Sequence, residues 1–239
     1  MRTLRLIPAA ICVTVVAATV NYQLIRGSNV SLGLTKDGAA SHVATATESK
    51  ANVLVPATLR YHLDASQSKF TAHALAGGLL WFKGHNHLIA VREFTGEAQL
   101  TPNSITPASL LITAKTASMV ETSSVFTEPQ KQIINKELRE IVLLPHQYPE
   151  IVFKSTNVTG KLTGSSQYDL KIMGDLTLHG VTRPITIPTK VTVTGSELRA
   201  QGEFSINRSD FKVKATSAMH GLIRVKDKVK FTFDIVGHQ

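Results

Sequence analysis

An alternation of apolar and polar residues is clearest in residues 168–178. The apolar side comprises Tyr168, Leu170, Ile172, Gly174, Leu176 and Leu178. Apart from Met173, the residues between them are polar or charged. This period of two predicts an antiparallel strand with one buried face. The pattern recurs in residues 185–193, 198–206 and 229–235, which predicts a long antiparallel sheet that closes on itself or pairs with another sheet.

Further strands and one helix are predicted before this region. The strands are residues 59–64, 69–75, 79–89, 93–100, 108–118 and 151–155. The helix begins after Thr127, a good capping residue, and has Pro129 in its first turn. Its apolar side comprises Ile133, Ile134, Leu138, Ile141 and Val142. Such a stripe predicts a helix that covers a barrel mouth or one that only packs on the sheet, and the sequence leaves both open.

The start of the chain has the composition of a targeting segment. Two arginines within residues 1–5 precede an apolar run that is interrupted only by Thr14 and Thr19. We therefore expect residues 1–20 to be a signal peptide or a membrane anchor, residues 21–57 a flexible linker and residues 58–239 the folded domain. This organisation predicts export to the periplasm or cell envelope. If the first helix is not cleaved, residues 4–20 attach the protein to the inner membrane.

Charge and cysteine content exclude some classes of function. The formal net charge is +9 and the isoelectric point is about 9.7, but lysine and arginine are scattered along the predicted strands. Because no basic cluster is interleaved with aromatic residues, nucleic acid is not an expected partner. The only cysteine, Cys12, lies in the apolar N-terminal run, so no disulfide forms within the chain.

Several ordered motifs resemble one protein family. They are Tyr61-His-Leu-Asp64, Phe82-Lys-Gly-His-Asn-His87, Tyr148-Pro149-Glu-Ile-Val-Phe153, Gly174-Asp-Leu-Thr-Leu-His-Gly180 and Asn207-Arg208-Ser-Asp-Phe211. In this order they resemble the YceI-like family over residues 59–236. The resemblance implies an all-β fold: a lipocalin-like, closed antiparallel barrel of about eight strands, with one short covering helix, in an exported bacterial protein. Lys212 departs from the family pattern, which has glycine after this phenylalanine.

The resemblance also implies a function. The lumen of such a barrel binds a long apolar molecule, which can be a polyisoprenoid, an isoprenoid quinone or a fatty-acid derivative, without catalysis and without a cofactor. The candidate ligand-binding residues are Phe82, His85, His87, Phe94, Leu138, Phe153, Leu176, Asn207, Arg208 and Phe211. Among them, His85 or His87 at the barrel rim would hydrogen-bond a polar head group. Arg208 would pair with Asp210 or Asp175, which we favour, or present its donors to such a head group. A homodimer is left open.

Two alternatives remain at this level. His85 and His87 project from the same side of a strand, and with His62 or His73 they would form a metal site in an envelope protein. The phenylalanines of the predicted lumen wall would equally fill a packed core, which would leave the domain a purely structural role. The sequence contains no nucleophile elbow, phosphate-binding loop or zinc-helix motif, so an enzyme is not expected.

Overall fold

The chain folds into a sheet of long antiparallel strands. The computed structural model describes residues 57–218, 220 and 222–239. The strands are β1 Leu59–Gly77, β2 His87–Val91, β3 Phe94–Leu100, β4 Ala108–Lys115, β5 Met119–Glu121, β6 Glu150–Gly164, β7 Gln167–Leu178, β8 Val181–Thr194, β9 Glu197–Asn207, β10 Ser217–Ala218 and β11 Ile223–His238. The helix α1 is Glu128–Glu137, and it continues as a π-helix, Leu138–Leu143. The predicted signal or anchor and almost all of the predicted linker lie outside the described residues.

The sheet closes into an eight-stranded antiparallel barrel. Its strands follow the order β1, β3, β4, β6, β7, β8, β9 and β11, and β11 pairs with β1. The short strands β2, β5 and β10 extend one end of the barrel, where β2 pairs with the second half of β1. The predicted all-β, closed-barrel fold class is therefore confirmed. Closure provides every long strand with two partners, so no long edge is left open.

The strand β1 is longer than its sequence predicts. Residues 59–64 and 69–75 are one strand, because the polar segment between them forms a bulge rather than a turn. In this bulge the Asp64 carboxylate accepts hydrogen bonds from the backbone N–H of Ser66 (2.8 Å) and from the Gln67 amide (2.7 Å). These bonds satisfy polar groups that the interrupted ladder leaves unpaired.

The prediction of a continuous strand over residues 79–89 is wrong. Gly78 has a φ of 90°, and the chain then forms a turn and a short 3₁₀-helix, Trp81–Lys83, before β2 begins at His87. Leu79, Trp81 and Phe82 continue the apolar pattern of a strand, although their side chains are exposed. The two adjacent glycines explain the break, because they allow backbone conformations that a strand does not use.

The helix prediction is correct in position, and three of the five residues of its predicted apolar side, Ile134, Leu138 and Val142, face the barrel. Gln130 caps the start of α1, because its Oε1 accepts a hydrogen bond of 2.8 Å from the Thr127 backbone N–H. Ile133 and Ile141 are exposed, at 62% and 43%. Ile141 lies in the π-helix, whose wider turns move it out of line with Ile134 and Leu138, whereas Ile133 lies in the α-helical part at the edge of the apolar side.

Candidate functional site

The barrel contains a cavity of about 370 Å³ at the end covered by the helix. Three inward-facing positions of β1 in this region are alanines: Ala72, Ala74 and Ala76. Ala114 on β4 also lines the cavity. Because alanine side chains do not reach the opposite wall, this part of the lumen stays empty while the outer strands remain fully paired.

The α1 helix and its π-helical extension cover one side of this cavity. Ile134, Leu138, Val142 and Leu143 line it. Leu138 and Leu143 are buried. The covering role that the sequence left open for this helix is thus the one observed.

A second, deeper compartment of about 130 Å³ continues from the first. Both compartments are lined by the same five residues, Phe70, Ala114, Ile151, Leu176 and Phe204. The polar residues that line the deeper compartment are few: Gln99, Ser109 and Thr189. The lumen therefore becomes more apolar with depth.

Four phenylalanines form the wall where the compartments meet. Phe204 stacks on Phe231 with ring centroids 5.0 Å apart. Phe70 lies between Phe231 (6.1 Å) and Phe233 (6.5 Å). These aromatic contacts favour defined ring positions, so the width of the passage is set by packed rings.

The polar side of the cavity is built around a buried carboxylate. Glu121, on β5, is 4% exposed, and its Oε2 lies 2.7 Å from Nδ1 of His87. Its Oε1 accepts hydrogen bonds from the backbone N–H groups of Ser123 (2.7 Å) and Leu88 (3.1 Å). Burial raises the pKa of the Glu121 carboxyl, but the hydrogen bonds from His87, Ser123 and Leu88 outweigh it and leave the pKa below its ordinary value.

This carboxylate orients the imidazole of His87. Nδ1 is held by Glu121, and the ring of His87 lines the cavity. Phe126 stacks on the His87 ring at 5.2 Å and meets His85 edge-on at 5.6 Å. The two histidines thus sit on an aromatic support at the cavity wall.

Basic side chains line the cavity from the side of β9 and β11. They are Arg208, Lys214 and Arg224, and Glu137 on α1 is the carboxylate that also lines it. Nη1 of Arg208 donates to the carbonyl oxygen of Val213 (2.9 Å), and its Nε lies 3.9 Å from Asp227 Oδ1. These contacts fix the position of the guanidinium at the rim.

The structure brings together six of the ten predicted ligand-binding residues. His85, His87, Leu138, Leu176 and Arg208 line the larger compartment, and Phe153 and Leu176 line the deeper one. Phe94 is buried and packs edge-on against Phe70 at 6.4 Å, and of this pair Phe70 lines the lumen.

The remaining predicted residues lie elsewhere. Asn207 and Phe211 border a polar groove outside the barrel with Arg183 and Lys228. Phe82 is 62% exposed. A ligand-binding role remains a prediction for the whole set.

Sequence reasoning missed the alanines of β1 and the carboxylate of Glu121. Alanine at every second position of a strand was a usable signal, because it marks the place where a wall lacks bulk. Glu121 gave no such signal, since its contact with His87 joins residues that are 34 positions apart.

The metal-site alternative requires that further histidines lie beside His85 and His87. His73 lies between two lumen-lining residues of β1, so it points away from the cavity, and its Nε2 lies 2.9 Å from Thr232 Oγ1. Within the described part of the chain, no three His, Cys, Asp or Glu side chains converge closely enough to hold a metal ion. Over the same residues, no helix combines the length and the apolar character needed to cross a bilayer.

Comparison with solved structures shows where else this barrel occurs. BcnA from Burkholderia cenocepacia superposes with a TM-score of 0.57 at 21% identity, covering 73% of this chain and 98% of that chain. A polyisoprenoid-binding domain from Saccharophagus degradans superposes with a TM-score of 0.52 at 14% identity, covering 74% and 97%. These similarities show a shared fold.

Comparison of sequences gives the relationship. A UPF0312 protein of Pseudomonas savastanoi pv. phaseolicola is 38% identical over 104 residues, and protein YceI of Escherichia coli is 37% identical over 102 residues. Each alignment covers 40% of this chain, and the chain spans about half the length of these curated relatives. The model of the YceI-like domain matches residues 61–237, and the chain therefore belongs to the YceI-like family.

Proposed function

We propose that this protein binds a long apolar molecule in the lumen of its barrel and does so without catalysis. The ligand classes are a polyisoprenoid, an isoprenoid quinone or a fatty-acid derivative, for carriage, storage or protection under stress. The observation that carries the proposal is the preformed cavity of about 370 Å³, walled by alanine, phenylalanine and leucine, with an apolar compartment behind it. A cavity of this size is typical of small-molecule sites.

The energetics support tight binding of an apolar chain. Burial of apolar surface contributes about 25 cal/mol per Å², so a tail that hides about 300 Å² gains roughly 7 kcal/mol before the costs of association. No charged anchor is needed for such a gain. Selectivity then comes from the shape of the passage between Phe70 and Phe204.

The distribution of polar groups supports one direction of binding. His87 and Arg208 line the compartment under the helix, whereas the deeper compartment is nearly free of polar side chains. A tail is therefore placed deep in the barrel and a polar head group beside His87 and Arg208. The charged and apolar start of the sequence supports a place of action in the periplasm or cell envelope.

The decisive experiment is native mass spectrometry of the protein purified without detergent, followed by organic extraction. A prenyl, quinone or acyl species retained in near-stoichiometric amount is the expected result and names the ligand class. An empty protein that also fails to bind added quinone, prenol or fatty acid would overturn the proposal.

A further inference from the structure

Four large apolar side chains are exposed beside the cavity. We call them the mouth patch; they are Leu79 (77% exposed), Trp81 (60%), Phe82 (62%) and Leu222 (41%). They lie on two turns that are hydrogen-bonded to each other, because the backbone N–H of Leu80 donates to the carbonyl oxygen of Leu222 at 3.0 Å. A contiguous group of this kind at a surface marks a site of interaction.

The mouth patch adjoins the rim of the cavity. Gly84 follows the 3₁₀-helix of the patch, and a Cβ at this glycine would lie 2.9 Å from side-chain atoms of Ala76 and of Ile223. Both of these residues line the cavity, as does His85, the next residue in the chain. The patch is thus continuous with the cavity wall.

The surroundings of the mouth patch are basic. Residues 75–86 and 212–226 contain Lys83, Lys212, Lys214, Arg224 and Lys226 and no aspartate or glutamate. Arg224 and Lys226 pack against Gly77 and Gly78, immediately before the patch, and both are exposed. Tryptophan, phenylalanine and leucine flanked by lysine and arginine form the combination that binds the interface of an anionic bilayer.

We propose that the mouth patch docks the barrel on the surface of a membrane that contains anionic phospholipids. Trp81, Phe82 and Leu79 enter the head-group region, while Lys83, Arg224 and Lys226 contact lipid phosphates. Docking in this orientation turns the cavity toward the bilayer. The inference goes beyond the proposed function, because it concerns a surface outside the lumen and does not require a bound ligand.

The chain carries its own reporter for this contact. Trp81 is its only tryptophan, so tryptophan emission comes from the patch alone, whatever the N-terminal segment does. The full-length protein is mixed with vesicles of phosphatidylcholine containing phosphatidylglycerol, and with vesicles of phosphatidylcholine alone. The expected result is a blue shift of Trp81 emission and quenching by brominated phospholipids on the anionic vesicles. Both effects should weaken as salt is raised, because screening shortens the reach of the basic side chains.

Matched variants distinguish binding through the mouth patch from nonspecific adsorption of the protein to vesicles. The double change Leu79→Ser and Phe82→Ser keeps Trp81. It should lower the protein's apparent affinity for anionic vesicles, measured from Trp81 emission, by roughly tenfold or more. Lys83→Glu with Lys226→Glu should remove the preference for anionic vesicles. Leu162→Ser and Lys161→Glu are the controls; both residues are exposed on the half of β6 that pairs with the start of β7, and neither change should alter the response.

Three results would contradict membrane docking through the mouth patch. Protein that sediments with vesicles while Trp81 stays unquenched would overturn the proposal and assign membrane binding to another segment. A blue shift that grows with protein concentration in the absence of vesicles would also overturn it, since a second copy would then cover the patch. Lipid retained in the lumen by a protein whose Trp81 does not respond would refute docking and leave the proposed function intact.

Discussion

The Nδ1 atom of His87 lies 2.7 Å from Oε2 of Glu121, which joins the strand β2 to the short edge strand β5 through their side chains. The Glu121 side chain is fully buried, whereas the His87 side chain is 24% exposed at the cavity. The pair therefore joins the interior of the fold to the ligand compartment. The Glu121 carboxylate accepts hydrogen bonds from the backbone of both segments, and the His87 ring lines the cavity.

Glu121→Gln should destabilise the protein at neutral pH by about 1–3 kcal/mol, because a buried set of hydrogen bonds loses its charged acceptor. The folded pKa of Glu121 is below its ordinary value of 4.5, so the stability it contributes is present above about pH 4.5 and is lost as pH falls through the folded pKa. The difference in unfolding free energy between wild type and Glu121→Gln should therefore become smaller only as pH falls below about 4.5.

Chemical denaturation across pH measures this deficit. Glu203→Gln is the control, because Glu203 pairs with Lys230 at an exposed position and should change stability little. A deficit of Glu121→Gln that stayed constant throughout the acid range would contradict the assignment.

Ala74→Phe should fill the larger compartment and displace the ligand. Ala74 lines the cavity from β1, and an aromatic side chain at this position projects into empty volume, so the added contacts offset much of the cost of repacking. Native mass spectrometry should show a loss of bound lipid in this variant while the melting temperature changes little. Leu75→Phe, on the exposed side of the same strand, should retain the lipid; equal lipid content in both variants would place the ligand outside the lumen.

Lys212→Gly should stabilise the barrel by about 1 kcal/mol. Lys212 has a φ of 57° and a ψ of 21°, a left-handed conformation that costs a residue with a Cβ about 1–2 kcal/mol and that glycine adopts freely. The expected increase is measured by denaturant unfolding. Lys214→Gly is the neighbouring control and should give no gain, since Lys214 is not among the residues with positive φ.

His179→Asn should change the pH dependence of stability below neutrality. Burial, with a smaller contribution from the charge of Lys214, lowers the pKa of His179 from its ordinary value of 6.5. Both ring nitrogens are buried without a hydrogen-bond partner within the described residues, and the ring packs on Tyr148 at 4.1 Å. The folded protein therefore resists protonation of His179, and wild type loses stability as pH falls below 6.5.

Asparagine removes this titration and also tolerates the φ of 52° at residue 179. Loss of packing on Tyr148 should lower stability at high pH, but the difference from wild type should shift in favour of the variant as pH falls below 6.5. Thermal unfolding of both proteins at several pH values measures how this stability difference changes with pH. Parallel curves for the two proteins would disprove the neutral, buried state of His179.

The strands of the second half were predictable because their pattern is local. In β7 the buried and less buried residues alternate from Tyr168 to Leu178, as period-two patterning predicts. Turn chemistry added to this: His179 and Gly180 both have positive φ in the two-residue loop between β7 and β8. Lys212 was not predictable in this way: the sequence departs there from the glycine of the family pattern, and the structure shows a left-handed conformation with lysine in place.

The site itself was only partly predictable. His87, Leu138 and Arg208 line the cavity, but their distances and orientations follow from the pairing of distant strands. Phe94 and Phe153 are both buried, yet only Phe153 lines the lumen, and no alternation rule separates them. The sequence pattern does not distinguish two inward-facing phenylalanines. The curvature of the barrel decides which of them lines the lumen.

The sequence by itself determined the patterned parts of β7, β8, β9 and β11, the capped start of the helix and the family, because these depend on periodicity, turn residues and short motifs. Tertiary structure decided that β11 closes on β1, that residues 79–86 leave the sheet, and that Ile141 faces outward in the π-helical part of the helix. It also decided the volume of the lumen. A cavity is the difference between the circumference of the closed barrel and the bulk of the side chains inside it, and both quantities exist only once all the walls are in place.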